Sequence, residues 1–439
     1  MNRNVAFIII SSFLCMIMVG TLLLSLPMAT HTQSLPLEDA LFTATSAVTV
    51  TGLIVRDTPH FFTPFGQGVI LLLIQLGGLG FMSFSTLIIL LLGRTLSLTD
   101  QSLIVSDFTT GSARNIRSII KRIFFFTLIF ESVGAVLLYF QFHHLAGSQR
   151  AFSAVFHAVS AFCNAGFSLF SNSLEDFTAA PGINFTFMML IVAGGIGFIV
   201  LNDIMGWIRR RDRASSRIGL HSKVVLIVSG LLILAGFLII WLEEINHPEN
   251  PLSGGARLLS SLFQSVTART AGFNTIDLNI LSPAALFMIV FLMFVGASPG
   301  STGGGVKTTS LGMVFAYMRS HLRGRDKASL YYRNIAAHNI ERAFMVIIVS
   351  MGVIGISFLL LASLQPELPF LDLLFETVSA FGTVGLSLGI TSGLTLASKI
   401  VIMLTMFIGR IGPLTLLIAL SSKQSRAVFQ YPEESIMIG

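Results

Sequence analysis

The sequence predicts an all-α integral membrane protein: four repeats of helix, re-entrant pore loop and helix, making eight spans and four short pore helices around a single pseudo-four-fold pore. Three observations carry this. Only 11% of the residues are charged and 53% are apolar, against about 25% charged in an ordinary soluble domain. The mean hydropathy is +0.83. A short segment recurs four times, each copy flanked by apolar runs long enough to cross a bilayer.

The copies are FTATSAVTVTGL (42–53), FHAVSAFCNAGF (156–167), FQSVTARTAGF (263–273) and FETVSAFGTVGL (375–386). Each starts with Phe, carries Ser or Thr four residues on, and ends in Gly plus Leu or Phe. The glycines are Gly52, Gly166, Gly272 and Gly385, separated by 114, 106 and 113 residues. The third copy is one residue shorter between its Phe and its Gly. The segments are too short to span, so they fit half-helices that enter the membrane and return as extended backbone, which is tolerated only where protein or water satisfies it.

Before each segment lies an apolar run, at 5–26, 119–142, 224–242 and 343–364. A second run follows each, at 65–92, 185–208, 284–318 and 400–420. Every second run is interrupted by a glycine cluster, starting at Gly77, Gly194, Gly296 and Gly409, which is 25, 28, 24 and 24 residues after the preceding segment's glycine. The repeats are therefore bounded as 1–110, 111–218, 219–335 and 336–439. The third has a broken second span with a gating loop at 296–309, and the fourth ends in a C-terminal tail.

Lys and Arg placement sets orientation. With a cytoplasmic N-terminus, the inner segments hold Arg3, five residues in 93–122, six in 209–223, six in 319–342, and Lys423 with Arg426, which is 20 of the 27 basic residues. The outer side holds Arg56, Arg150, Arg257, Arg269 and Lys399. Both termini are expected inside and the pore loops outside. The net charge of +6 follows from these loops and calls for no nucleic acid. The run Arg209, Arg210, Arg211, Arg213 fits a topology anchor, or else a lipid-headgroup or partner-docking patch. The N-terminal apolar run reads as a first span with no clear cleavage site. Cys15 and Cys163 form no metal-ligand pattern.

A dehydrated monovalent cation needs rings of backbone carbonyls, and glycine permits the backbone that aims them. One Gly at the same place in four repeats fits such a ring. Its neighbours Thr49, Val50, Thr51, Asn164, Ala165, Thr270, Ala271, Thr383 and Val384 are mostly small or β-branched, and none is a carboxylate. These residues with the four glycines are the candidate ion-binding filter. The half-helix C-termini would favour a cation beneath it. His157 and Glu376, each following its leading Phe, read as anchors behind the filter. Glu131, mid-span, is a functional candidate or a structural bond to a neighbouring helix.

Gly296, Ala297, Ser298, Pro299, Gly300, Ser301, Thr302, Gly303, Gly304 and Gly305 form a strip of small residues in mid-membrane, with Lys307 just beyond. GSTGGGVKT imitates a phosphate-binding loop, but Val306 separates Gly305 from Lys307 where Gly-Lys is required. A flexible plug fits better. Arg410 is a cation inside an apolar span, at a cost of about 2.5–3.5 kcal/mol. It needs a carbonyl or anionic partner, and by repeat alignment that partner is the strip. Loop and arginine together are the candidate gate.

These residues resemble the ion-translocating subunits of the bacterial Ktr/Trk/HKT potassium transporter superfamily, most closely the KtrB type. The similarity covers essentially the whole chain and is most specific at TVTGL (49–53), NAGFSL (164–169), RTAGFN (269–274), FGTVGLS (381–387), GSTGGGVKTT (300–309) and FIGRIGP (407–413). The chain starts at its first pore-repeat span, without the extra N-terminal helices usual in Trk-type subunits, which favours the Ktr type. The resemblance implies potassium bound at the filter glycines, a homodimer, a cytoplasmic ring of nucleotide-binding (RCK-type) regulatory subunits, and a gating loop in the third repeat. It implies a multi-pass protein of the bacterial cytoplasmic membrane with no cofactor of its own. Sodium enters as an alternative cargo or a coupling ion. Pro299 departs from the family's loop. A secondary solute transporter is disfavoured because the repeats run parallel, not inverted. A membrane enzyme would need His, Asp or Glu clustered within the spans.

Overall fold

The long apolar runs without internal proline become long helices. In the computed structural model, which describes residues 3–31, 35–80, 116–209, 218–246, 252, 254–325, 327–331 and 333–420, these are α1 (Arg3–Leu24), α5 (Ile116–Gln141), α9 (Leu220–Asn246) and α13 (Ala337–Leu364). All four are long and apolar enough to cross a bilayer. Each is followed by a shorter amphipathic helix: α2 (Leu37–Thr49), α6 (Gly147–Cys163), α10 (Gly254–Thr267) and α14 (Phe370–Gly382). These are the repeated segments, and their leading Phe42, Phe156, Phe263 and Phe375 are fully buried. Acidic residues in the first turns of α2 and α14 complement the helix dipole. A single turn, α3 (Thr58–Phe61), lies in the loop after α2.

The second runs are not continuous helices. The first gives α4 (Pro64–Leu79), ending at Gly80; its continuation, 81–92, lies outside the described residues. The second gives α7 (Pro181–Gly195) and α8 (Phe198–Arg209), bent by 103° around Gly197. The third gives α11 (Pro283–Phe294) and α12 (Thr308–His321), joined by the loop. The fourth gives α15 (Leu396–Ile411) and α16 (Pro413–Leu420), broken at Gly412. Hydroxyl caps start three of these helices: Thr63, Ser282 and Thr395 accept from the Gly66, Ala285 and Ser398 amides. Proline at the first helical position sets α4, α7 and α11. A two-residue hairpin of β1 (Ser329–Leu330) and β2 (Arg333–Asn334) precedes α13.

Packing runs in a circle. Helix α4 lies on α6, α7 on α10, α11 on α14, and α15 back on α2. Each second-run helix thus packs on the short helix of the next group, and the fourth closes on the first. Close approach is decided by glycine. A Cβ at Gly77, Gly194 or Gly409 would overlap the carbonyl oxygen of Val48, Phe162 or Phe381, each six residues after its leading Phe. Large apolar side chains such as Phe140, Ile348 and Phe287 are exposed on the outer faces, as a lipid-facing surface requires.

Candidate ion-conduction site

The C-terminal ends of α2, α6 and α14 turn through a left-handed residue, Val50 (φ 57°), Asn164 (φ 59°) and Thr383 (φ 50°). The next amide, of Thr51, Ala165 or Val384, bonds back to the Ser46, Ser160 or Ser379 carbonyl at 2.8–2.9 Å, the paired closure of a helix C-terminus. The third segment, one residue shorter, manages with Thr270 at φ 97° and an Ala271 amide bonded to the Thr267 carbonyl at 2.8 Å. Two residues past the left-handed positions of the other three, and likewise two past Thr270, come Gly52, Gly166, Gly272 and Gly385, all at φ between 70° and 93°.

The four glycines face one another around a ring. A Cβ on Gly52 would strike the backbone of Ala165–Gly166, one on Gly166 that of Ala271–Gly272, one on Gly272 the Val384 carbonyl, and one on Gly385 the Thr51 carbonyl. Each residue therefore meets the strand of the next group, and any side chain would enter the space between strands. Above this ring lies a cavity of about 430 Å³ whose lining includes all four glycines, with Asp57 and Glu175 at its rim. Burial raises the Glu175 carboxyl, and the Asp277 and Asp176 carboxylates add to the rise, against a hydrogen bond from Asn274.

Hydroxyls brace the strands from behind. The Ser or Thr four residues after each leading Phe is the brace. Ser46 and Ser379 accept from the Gly52 and Gly385 amides, both at 3.1 Å. Ser160 and Thr267 donate to the Phe167 and Phe273 carbonyls, both at 2.7 Å. His157 bonds Ser168 (3.1 Å) and accepts from the Leu169 amide (3.2 Å). Glu376 accepts from Ser387 (2.8 Å) and Thr391. Both are wholly buried and hold the chain as it leaves the ring.

The segment Gly296–Gly305 lies directly beneath. Its Gly304 amide donates to Thr383 Oγ1 (3.0 Å), and Thr302 Oγ1 accepts from Asn164 Nδ2 (2.9 Å) and donates to the Phe162 carbonyl (3.2 Å). The Ser298 and Thr302 amides donate to the Gly195 and Gly194 carbonyls, while the Gly300 carbonyl accepts from Phe198. Ser301 Oγ closes back on the Ser298 carbonyl at 2.6 Å. Lys307 Nζ donates to the Gly303 carbonyl (2.8 Å). Arg410 donates to the Thr302 carbonyl and also to that of Gly77, with Gly78 at 3.5 Å. The arginine thereby spans from the loop to the glycine break of the first group. The Glu131 carboxyl lies 4.0 Å from the Sγ of Cys163, the residue before Asn164.

Two arrangements were not legible from spacing. Asp39, buried at the start of α2, pairs with Lys399 Nζ at 2.7 Å and Arg56 Nε at 2.8 Å, tying the first group to the fourth. Arg269, counted above with the outer residues, is buried at the end of α10 and donates to Ser229 on α9. The basic residues at 93–115, 210–217 and 423–426 lie outside the described residues.

The TrkH family profile, described as cation transport protein, matches residues 2–431. The chain belongs to the TrkH family. Among TrkH-family relatives, it is 38% identical to the Ktr system potassium uptake protein B of Vibrio alginolyticus, over 98% of this chain and 94% of that one. It is 37% identical to the potassium/sodium uptake protein NtpJ of Enterococcus hirae, over 98% and 96%. The crystal structure of the potassium transporter TrkH from Vibrio parahaemolyticus superposes with a TM-score of 0.74 at 18% identity, covering 96% of this chain and 85% of that one. The last likeness concerns the fold.

Proposed function

We propose that the chain is the ion-translocating subunit of a potassium uptake system in the bacterial cytoplasmic membrane. Potassium sheds water at the outer cavity and passes through carbonyls of the four glycine segments, which replace its hydration shell. The observation that carries this reading is the closed ring in which each positive-φ glycine abuts the strand of the next group. The name of the Vibrio alginolyticus relative, a potassium uptake protein, supports the cargo. The four repeats, bounded as in the sequence, form one pore with both termini inside.

The loop 296–309, pinned by Arg410, is the gate. A cytoplasmic ring of nucleotide-binding (RCK-type) subunits releases it by moving α12, and two copies of the chain assemble as a homodimer. The name of the Enterococcus relative, which includes sodium, supports a second reading in which sodium is carried or coupled.

Rubidium and sodium flux through the purified protein in liposomes, with and without its soluble partner, tests both. Rubidium flux well above sodium flux, raised by the partner, is expected. Equal flux of the two ions would remove the potassium assignment, and partner-independent flux would remove the gate.

A further inference from the structure

A second cavity, of about 810 Å³, lies between α9 and α12 away from the pore. Its α9 wall is Val224, Ile227, Leu231 and Ala235, a stripe at helical spacing. Leu311 and Phe315 of α12 face it. Ile227, Leu231 and Phe315 are 44%, 61% and 66% exposed, so no part of the described protein covers them. From Val224 to Ala235 the wall rises roughly 16 Å at the helical rise, about half of the ~30 Å hydrocarbon core. The groove is one leaflet deep.

Its other end is basic. Arg319, Arg323 and Arg325 line the mouth, all exposed. Lys223 Nζ lies 5.5 Å from the ring of Tyr331, which also lines the groove. Among the described residues, no carboxylate lines the groove. An apolar slot one acyl chain deep, ending in three guanidinium groups, matches the acyl chain and phosphate of an anionic lipid.

We infer that this groove binds a phospholipid with an anionic headgroup, its acyl chain along α9 and its phosphate on Arg319, Arg323 and Arg325. The lipid belongs to the leaflet on the side of those arginines, the cytoplasmic one if the orientation proposed above holds. Helix α12 continues directly from the loop 296–307, so the lipid touches the helix that the proposed gate would move. That consequence rests on the proposed function; the site does not, and its test uses no ion flux.

The test is native mass spectrometry of the full chain released from nanodiscs with equal phosphatidylglycerol and phosphatidylcholine of matched acyl chains. The parent should retain phosphatidylglycerol preferentially. Arg319→Gln, Arg323→Gln and Arg325→Gln should lower that preference by roughly fivefold for each arginine removed. Ala235→Trp, which fills the upper groove and leaves the charges, should lower total retained lipid. Equal retention of both lipids by the parent overturns the proposal, as does an unchanged preference in the triple variant. Cross-linking of Ala235→Cys between two copies in the membrane would make the groove a protein interface and overturn it too.

Discussion

At the level of Gly52, Gly166, Gly272 and Gly385 the four repeats contribute the same parts, whereas one layer further in they contribute different ones. Each glycine segment brings a buried Phe, a hydroxyl brace and a glycine at positive φ. Beneath them, the first repeat offers the Gly77 carbonyl, the second Asn164 and the Gly194 and Gly195 carbonyls, the fourth Thr383 and Arg410, and among the described residues only the third supplies a loop. An ion on an axis is held best when its ligands are equivalent, so departures from likeness are costly there. A gate needs one part that moves and several that receive it, so likeness is of no use to it.

The largest effect should come from breaking the likeness at the ring. Gly272→Ser places a side chain on the Val384 carbonyl, and Gly385→Ser places one on the Thr51 carbonyl. Potassium preference over sodium should fall to near unity in either, with protein still reaching the membrane. Gly412→Ala is the control: its φ is also positive, at 90°, but among the described residues nothing lies within 4 Å of an added Cβ. It should cost about 1–3 kcal/mol in stability and leave the preference intact. Potassium and sodium uptake in transport-deficient cells reads all three. A preserved ratio in both serine variants sinks the filter assignment.

The sequence made the upper layer legible and the lower one only in part. Spacing aligned the four glycines and their clusters because a repeat constrains positions within itself. It identified the Ser and Thr positions without their role, since a hydroxyl donates or accepts according to a strand path that spacing does not encode. It pointed Arg410 to the loop by alignment, but not to Gly77, which is brought near because the fourth group closes on the first. The Asp39–Lys399 pair joins residues 360 positions apart because the fourth group closes on the first. Circular closure is a tertiary fact. The sharp bend at Gly197 was equally hidden, for a glycine cluster inside an apolar run is compatible with a straight span.

The next effect sharpens the inequality of the lower layer. At roughly 6 Å and an effective dielectric near 20, a guanidinium repels a monovalent cation by about 2.8 kcal/mol, roughly a hundredfold in occupancy. Arg410→Ala removes that repulsion and both carbonyl contacts. Partner-independent rubidium flux should rise, up to roughly a hundredfold. Arg410→Lys keeps the charge but not the fork that reaches Thr302 and Gly77 together, and should raise flux less. Should neither variant, correctly inserted, exceed the parent without its partner, the gate lies elsewhere.

The hydroxyl braces come third, because a hydrogen bond contributes about 0.5–1.5 kcal/mol net. Ser379→Ala frees the Gly385 amide, and Ser160→Ala frees the Phe167 carbonyl. Each should reduce potassium preference by roughly two- to tenfold. Competition of sodium against rubidium uptake measures it. A loss from Ser379→Ala with none from Ser160→Ala would show that holding the glycine amide matters and holding the following carbonyl does not, and the ring's four-fold likeness would then be one of shape and not of mechanics.

The smallest effect lies at the rim, where likeness fails again. Glu175 lines the outer cavity and accepts from Asn274 Nδ2 at 2.7 Å, linking the second group to the third. Ionised, it draws cations toward the ring. A unit charge about 10 Å from the entering ion in water changes its local concentration only about twofold, and salt weakens this further. Burial and the Asp277 carboxylate hold its pKa above the ordinary glutamate value. As external pH falls, Glu175 therefore takes its proton before a surface glutamate does, and the attraction is lost first there. Uptake from dilute potassium should drop by roughly half across that window, and the drop should vanish in Glu175→Gln and in high salt. Stability moves the opposite way. A raised pKa in the fold means that the ionised group opposes folding at neutral pH, and this opposition disappears as pH falls below the unfolded value. Glu175→Gln, which keeps an acceptor for Asn274, should thus be slightly more stable than the parent at neutral pH and no more stable in acid. If the parent and Glu175→Gln share one pH profile for uptake, the rim charge does not feed the pore, and the cavity above the glycines acts by its shape alone.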